Sequence, residues 1–357
     1  MGSRWQRAGG LFLVLAATTV ASLPVFDNEF VYDDIDVIAD GTVIHDPANI
    51  PDIFARHTMF VSADPSKGGS LDTYRPVTLL SFFWDSAISG RDPFAYHVTN
   101  LIMHLLCVSL VFVLLQVLLG GHWGFALLGA TVFALSPHPN TAQIWINGRS
   151  DLFCTAYGLA AILVWRRALR TETGWSRTLA HTLAALLFLA GLLSKETLLM
   201  VLPALWLWPE RNDSVGLTQR IVRMSPLAAA GAAYLAIRTT VLGGLRASDG
   251  GAHVWTALKY LGPLELEGVL GALGPRRLYL RFLFDEFGRL SSVALAALGI
   301  LFLACAAGLF AIRKRAPVIA WGLFWFAITL APASLIASML WPGFGRYLYL
   351  PSVGLAA

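Results

Sequence analysis

The chain has 357 residues, of which 56% are hydrophobic and 13% charged, whereas ordinary soluble domains carry about 25% charged residues. With a mean hydropathy of +0.64, this excludes a disordered chain, a basic nucleic-acid-binding domain and an ordinary cytosolic enzyme. It points to an all-α polytopic membrane protein. The net charge of +4 arises from 26 Lys+Arg against 22 Asp+Glu and matters through where the cations sit. Cys107, Cys154 and Cys305 lie in apolar stretches and suggest neither a disulfide framework nor a metal cluster.

In chain order, Arg4 and Arg7 precede an apolar run from Leu11, and Val20-Ala21-Ser22 resembles a leader cleavage site. The many later spans favour a retained first helix; either way the chain beyond Phe26 is expected outside the cytosol. Further apolar segments run over 98–119, 123–135, 152–165, 182–193, 197–208, 226–241, 292–312 and 317–340, with a last from Tyr347, about ten spans in all. Several fall short of the ~20 residues a perpendicular span needs. Such segments are tolerated where they line a cavity or pack within protein. The last stretch reaches only about half-way across a ~30 Å hydrocarbon core, so more membrane sequence is expected beyond Ala357. The whole reads as one domain, 1–357, with larger outer loops at 27–96 and 243–290.

Alternating these spans from a cytosolic N-terminus collects cations in the short inner loops. Arg166, Arg167, Arg170 and Arg177 fall in one, Arg211, Arg220 and Arg223 in the next, and Arg313, Lys314 and Arg315 in a third, as the positive-inside rule requires. The first outer loop opens with Asp33, Asp34, Asp36 and Asp40, and its later stretch, 77–88, reads as an interfacial segment. The second carries an apolar stretch, 261–273, and then Arg276, Arg277, Arg281 and Arg289 facing anionic headgroups.

Four constellations can carry chemistry. Tyr32-Asp33-Asp34 places two carboxylates just past the first span, where mutual repulsion suits one of them to general-base work; a helix cap and a solvated acid is the plainer alternative. In Ser136–Asp151, His138 and the pair Arg149 and Asp151 sit at the membrane edge, where an unpaired charge is costly, so a local Arg149–Asp151 ion pair is one expectation. Ser194-Lys195-Glu196 interrupts two apolar runs; it reads either as a self-neutralising turn or as a phosphate-binding lysine at headgroup level. Gly345-Arg346-Tyr347-Leu348-Tyr349 opens the last segment, with Tyr347 and Tyr349 as candidate interfacial aromatics. His97 and His104 share a helix face and lack a third ligand, so no zinc site is expected.

The ordered set Tyr74-Arg75-Pro76, Ser81-Phe82, Asp85, Tyr96-His97-Val98-Thr99-Asn100, Trp145-Ile146-Asn147-Gly148-Arg149 with Asp151, Leu193-Ser194-Lys195-Glu196 and Arg346-Tyr347-Leu348-Tyr349-Leu350-Pro351 resembles the membrane part of the transmembrane and TPR-repeat-containing O-mannosyltransferases and their bacterial relatives. The pattern departs where a His and a Glu would be expected and Pro139 and Thr141 stand. The resemblance implies a GT-C transmembrane domain that moves a sugar, mannose by default, from a polyprenyl- or dolichyl-phosphate to an acceptor hydroxyl on a protein or glycan. It places the catalytic acids on Asp33 and Asp34. Lys195, Arg149 and Arg346 are the candidate donor-phosphate cations, and Arg75, His97, His138, Asp151, Glu196, Tyr347 and Tyr349 complete the site. No cofactor and no nucleic acid is expected, apart from the option of a divalent ion between Asp33 and Asp34. Phosphate is already a good leaving group, so a single inverting displacement suffices. The expected setting is the outer face of a bacterial inner membrane, or the lumenal face of the endoplasmic reticulum. A transporter or flippase of lipid-linked sugars, or a non-catalytic scaffold, is the rival reading; a transporter predicts paired inverted repeats, and none is visible.

Overall fold

Proline and capping acids set where the helices start. The structure is a computed structural model describing residues 4–62, 73–137, 139–171, 174–209, 216–244, 307–335 and 345–357. Among them every regular element is helical. Helix α1 (Arg4–Ser22) leads into short turns. Helix α2 (Pro76–Ser89) opens on a proline and stops at Gly90, whose φ of 60° suits glycine. Helix α3 (Pro93–Leu118) starts five residues before the apolar run, because Asp92 caps it by accepting a hydrogen bond from Phe94 N at 2.9 Å. Then come α4 (Trp123–Leu135), α5 (Arg149–Ala168), α6 (Trp175–Leu192), α7 (Val201–Trp206), α8 (Leu217–Leu242), α9 (Pro317–Leu330) and α10 (Tyr349–Leu355).

Two helices run through residues that interrupt the apolar pattern. Helix α5 keeps Arg149 and Asp151 in its first turn, since both have buried partners elsewhere. Helix α8 carries Pro226 inside it. A proline has no N–H for the carbonyl four residues back, and here the Ser225 hydroxyl donates to that carbonyl, Val222 O, at 2.9 Å.

The segments Arg4–Asp27, Pro93–Leu118 and Trp175–Leu192 are long and apolar enough to cross a bilayer; Trp123–Leu135, Glu196–Trp206 and Pro317–Ala333 are shorter apolar helices. The described residues thus give a helical membrane architecture with three full-length candidate spans, fewer than the ten expected. Helix α5 has 20 residues but carries Arg149, Asp151, Arg166 and Arg167. Residues 292–306 of the segment 292–312 and 245–290 of the outer loop 243–290 lie outside the described residues.

While α2 packs with the first outer loop in a second cluster around Leu79, Phe82 and Phe83, the main apolar core joins α1 and α3 through α10. Its spine is a run of indoles: Trp165–Trp208, Trp208–Trp321 and Trp321–Trp325 have ring centroids 6.5, 5.4 and 5.1 Å apart. Three of the four donate from their N–H: Trp165 to Arg223 O at 2.7 Å, Trp321 to Ala204 O at 2.8 Å and Trp325 to Leu350 O at 3.0 Å. Helices α9 and α10 cross so closely that a Cβ at Gly322 would collide with the Gly354 carbonyl, and one at Gly354 with the Gly322 carbonyl.

The bundle has two chemically distinct ends. Arg166 lies over Trp208 at 4.6 Å and Arg220 donates to Trp206 O at 3.0 Å. Together with Arg223 these cations gather at the end where α5 finishes and α8 begins. Gly10 of α1 packs against Trp123 and Leu127 of α4, which puts the chain start at that end too. Asp33, Asp34, Trp145, Lys195 and Arg346 lie at the other. This separation is what the positive-inside pattern of the inner loops requires.

A Gly322→Ala variant is expected to force α9 and α10 apart and lower stability by about 1–3 kcal/mol, read as a reduced thermal midpoint of the detergent-solubilised chain; an unchanged midpoint would show that the contact yields freely.

Candidate active site

The site grows from a buried charge. Arg149 opens α5 and is fully enclosed, as is Asp85 of α2; the two pair at 2.5 Å. Arg149 Nε donates to Asn100 Oδ1 at 2.7 Å, Nη2 to Tyr96 O at 2.8 Å and Nη1 to Ser81 Oγ at 3.2 Å. The Phe82 ring faces the guanidinium at 4.7 Å. Thr99 donates to the other oxygen of Asp85 at 2.7 Å. This network joins α2, α3 and the head of α5. The side-chain amide of Asn100 points back at the preceding loop, within 3.3, 3.2 and 3.3 Å of the carbonyls of Gln143, Trp145 and Ile146.

That loop presents its polar groups to the first outer loop. Asn147 N donates to Asp34 Oδ1 at 2.9 Å, and Asn147 Nδ2 to Asp33 Oδ2 at 3.5 Å. Trp145 Nε1 donates to Val31 O at 3.3 Å. Gly148 is needed here, because a Cβ would sit 2.5 Å from the Ala142 carbonyl oxygen. Tyr32 has a φ of 53°, the one positive value at a non-glycine among the described residues, and such backbone persists where its surroundings impose it. Its ring stands edge-on to Trp145, centroids 6.1 Å apart.

Asp34 is 1% exposed while Asp33 is exposed. Burial raises the Asp34 pKa from 3.8 to about 7, against the hydrogen bonds from Val31 and Asn147, with a smaller upward push from the Asp33 charge. Repulsion between the paired acids is therefore the minor cause; loss of solvent is the major one.

The cations reach the same end along a line of contacts. Arg346 stacks on Trp145 at 4.0 Å and donates to the Tyr347 hydroxyl at 3.0 Å. Lys195 Nζ lies 4.6 Å from the Tyr347 ring and pairs with Asp151 Oδ1 at 2.6 Å, both groups nearly solvent-free. Arg75 holds Glu196 through two bonds of 3.2 and 2.7 Å. Beside them, Val77 N donates to Leu193 O at 3.3 Å and the Thr78 hydroxyl to Ser194 O at 3.2 Å, lashing the first outer loop to the turn between α6 and α7.

Several expectations change. Arg149 and Asp151 do not pair with each other, nor do Lys195 and Glu196. Residues two apart on a helix, or adjacent at an extended-to-helical junction, point in different directions, so each of the four charges reaches a distant partner. Arg149, expected at the donor phosphate, is sealed among internal partners and holds the loop that carries Asn147. Tyr349 is not interfacial: it is buried, with its hydroxyl 2.6 Å from His104 Nδ1, while His104 Nε2 donates to Ala134 O at 3.2 Å. His97 is buried and donates from Nε2 to Asn28 O at 3.2 Å, fixing the chain as it leaves α1. His138 lies outside the described residues. Sequence reasoning gave no role to Asn147 or Asn100, and it left Asp85 without a partner; a lone acid inside an apolar helix was the available signal for Asp85. No group of three or more His, Cys, Asp or Glu residues that could hold a metal ion occurs among the described residues.

Fold and site define a class first: a helical membrane protein with a buried acid and arginine and lysine side chains at one end. The curated proteins it is similar to are named protein O-mannosyl-transferases. They include F38B6.6 of Caenorhabditis elegans, 27% identical over 203 residues (56% of this chain, 28% of that protein). Tmtc1 of Drosophila melanogaster is 35% identical over 135 residues (38% and 15%), and human TMTC4 28% identical over 193 residues (50% and 26%). The homologues are thus proteins of the O-mannosyl-transferase family that the sequence motifs resemble, and the chain spans about a quarter or less of their length. No protein-family model and no solved structure matches the chain.

Two outcomes follow. Removing one member of a buried ion pair strands the other, at a cost of about 3–5 kcal/mol, so Asp85→Ala should sharply lower the thermal midpoint, while Asp85→Leu with Arg149→Met should recover much of it. Folding raises the Asp34 pKa, so between pH 3.8 and about 7 the native chain binds a proton that the unfolded chain has released. Stability therefore falls as pH rises through that window, and Asp34→Asn should flatten the slope in pH-resolved thermal melts.

Proposed function

We propose that the chain is a membrane glycosyltransferase of GT-C type that moves mannose from a polyprenyl-phosphate donor to a protein hydroxyl at the outer or lumenal face. The relatives' names supply the sugar and the acceptor class. The observation that carries the reading is the line of contacts from Asp34 through Asn147 and Trp145 to Arg346 and Lys195. A lipid-linked sugar phosphate has its anion at the headgroup plane and its sugar in water, so it needs cations at the membrane edge and a base beside them.

In this reading Arg346, held flat on Trp145 and half-buried, is the first phosphate ligand. Lys195 stands behind Tyr347, with Asp151 fixing its position. The acceptor oxygen attacks the anomeric carbon, the bond from that carbon to the phosphate oxygen breaks, and the acceptor proton passes to Asp34. Charge developing on the departing phosphate meets Arg346 and Lys195. A carboxylate with a pKa near 7 is half-ionised at neutral pH and still a competent base. Asp33, exposed at its side, faces the incoming acceptor. Attack opposite the leaving group inverts the anomeric centre. The positions of the cations favour a bacterial inner membrane with the acids outside, or the corresponding lumenal topology.

The test is transfer from polyprenyl-phosphate mannose in membranes containing the chain. General-base catalysis is worth about 10²–10⁴-fold, so Asp34→Asn should lose at least a hundredfold in kcat, with the wild-type rate rising through pH 7. Asp33→Asn should lose less, and Arg346→Gln should act mainly on donor KM. Full transfer by Asp34→Asn, or a product of retained configuration, would overturn the mechanism.

A further inference from the structure

Tyr32 stands at the corner of the turn that buries the candidate base. Asp34 N donates to Val31 O at 3.1 Å, and Val31 N donates back to Asp34 Oδ2 at 3.4 Å. The chain closes this turn by taking Tyr32 to a φ of 53°. In that left-handed region Cβ crowds the following carbonyl, so glycine or asparagine is the undemanding choice and a bulky residue is an outlier. The turn dictates the backbone at position 32; it does not call for a ring.

Burial does not call for one either. Tyr32 is 81% exposed, although Asp34, two residues on, is buried. Its ring meets Trp145 edge-on, at an interplanar angle of 80°. An exposed aromatic on a strained backbone adds little to folding, and a local rule broken without structural gain marks a functional position.

The surroundings of the ring define what it meets. Trp145 is fixed to the same turn by its N–H bond to Val31 O. Arg346 lies 4.0 Å from the centre of the same indole. Asn147, two residues beyond Trp145, donates from its backbone to Asp34. In the proposed transfer the phosphate sits on Arg346 and the acceptor proton leaves toward Asp34. The group between them is the sugar, and the aromatic side chains beside that path are Trp145 and Tyr32. A pyranose presents faces of weakly positive C–H groups, and an aromatic face carries the negative part of the ring quadrupole. Two rings at nearly a right angle form a corner, which suits one compact ring better than an extended chain.

We infer that Tyr32, with Trp145, forms the sugar-contacting wall of the site and stacks on the hexopyranose of the lipid-linked donor. This rests on the proposed transferase reading and adds to it the residue that recognises the sugar.

The test uses the full chain purified in a neutral detergent, with the thermal midpoint followed against added lipid, since a ligand of the native state raises the midpoint with its concentration. Polyprenyl-phosphate mannose should bind about threefold to tenfold more tightly than polyprenyl phosphate without a sugar, the size of one aromatic contact. Asparagine is at ease in a left-handed turn. Tyr32→Asn should therefore abolish that preference, leave the response to bare polyprenyl phosphate as it was and not lower the midpoint measured without lipid. Tyr32→Phe keeps the ring and should restore the preference. Arg346→Gln should weaken both lipids alike. An undiminished preference in Tyr32→Asn, an equal loss for both lipids, or no preference in the wild-type chain would overturn the role of the ring and leave the transferase reading standing. So would a midpoint that falls without lipid in Tyr32→Asn, because the ring would then serve the fold. A wild-type chain that binds neither lipid would overturn the transferase reading, and this inference with it.

Discussion

A guanidinium and a carboxylate removed completely from water are costly to bury, and the bundle tolerates them only because nearly every hydrogen-bonding direction of Arg149 is used. Desolvation costs several kcal/mol per ion even after relaxation. Asp85, Asn100, Ser81 and the Tyr96 carbonyl answer that cost together. Because those partners come from α2 and α3, the pair fixes the angle at which α5 leaves the preceding loop. Two residues upstream, Asn147 is thereby held where its amide meets Asp34. The network thus positions the loop packed against the candidate base, and burial is the main cause of that base's raised proton affinity.

The same logic repeats along the acid end. Lys195 is held by Asp151 and Arg75 by Glu196, so each interruption of an apolar run braces an element far away in the chain. The first outer loop is clamped between the Asn147 loop and the turn after α6, and the backbone of Tyr32 is turned into the left-handed region beneath Trp145. Arg346 differs from the other cations. It rests on an aromatic face rather than a carboxylate, which in the proposed reading leaves its charge for an incoming anion. A site for a lipid phosphate needs that asymmetry: several charges committed to geometry, and one held in place yet not neutralised.

The relatives named as protein O-mannosyl-transferases are matched by this chain over only part of their length. Similarity and geometry contribute differently. The names belong to the relatives, while the raised pKa of Asp34 and the stacking of Arg346 are properties of this chain. The opposite end gathers Arg166, Arg220 and Arg223, and the one fold keeps these two surface chemistries apart.

Composition determined the helical membrane class, because so few charges cannot cover a soluble surface, and the ordered motifs determined which residues to watch. The apolar pattern places the start of α3 too late, at Val98, because it begins there while the cap at Asp92-Pro93 opens the helix five residues earlier. A segment end was likewise misread at Arg149, where a charge looked like a boundary although its partner lay 64 positions earlier in the chain. Which acid pairs with which base was decided only by the tertiary structure. Periodicity reports the face a residue occupies on its own helix, whereas an ion pair in an apolar bundle forms with whatever another helix brings to that depth. Burial of Asp34 is likewise a product of assembly: in the bare sequence it is one of two adjacent aspartates, and the neighbouring loop, folded over it, makes the two acids unequal.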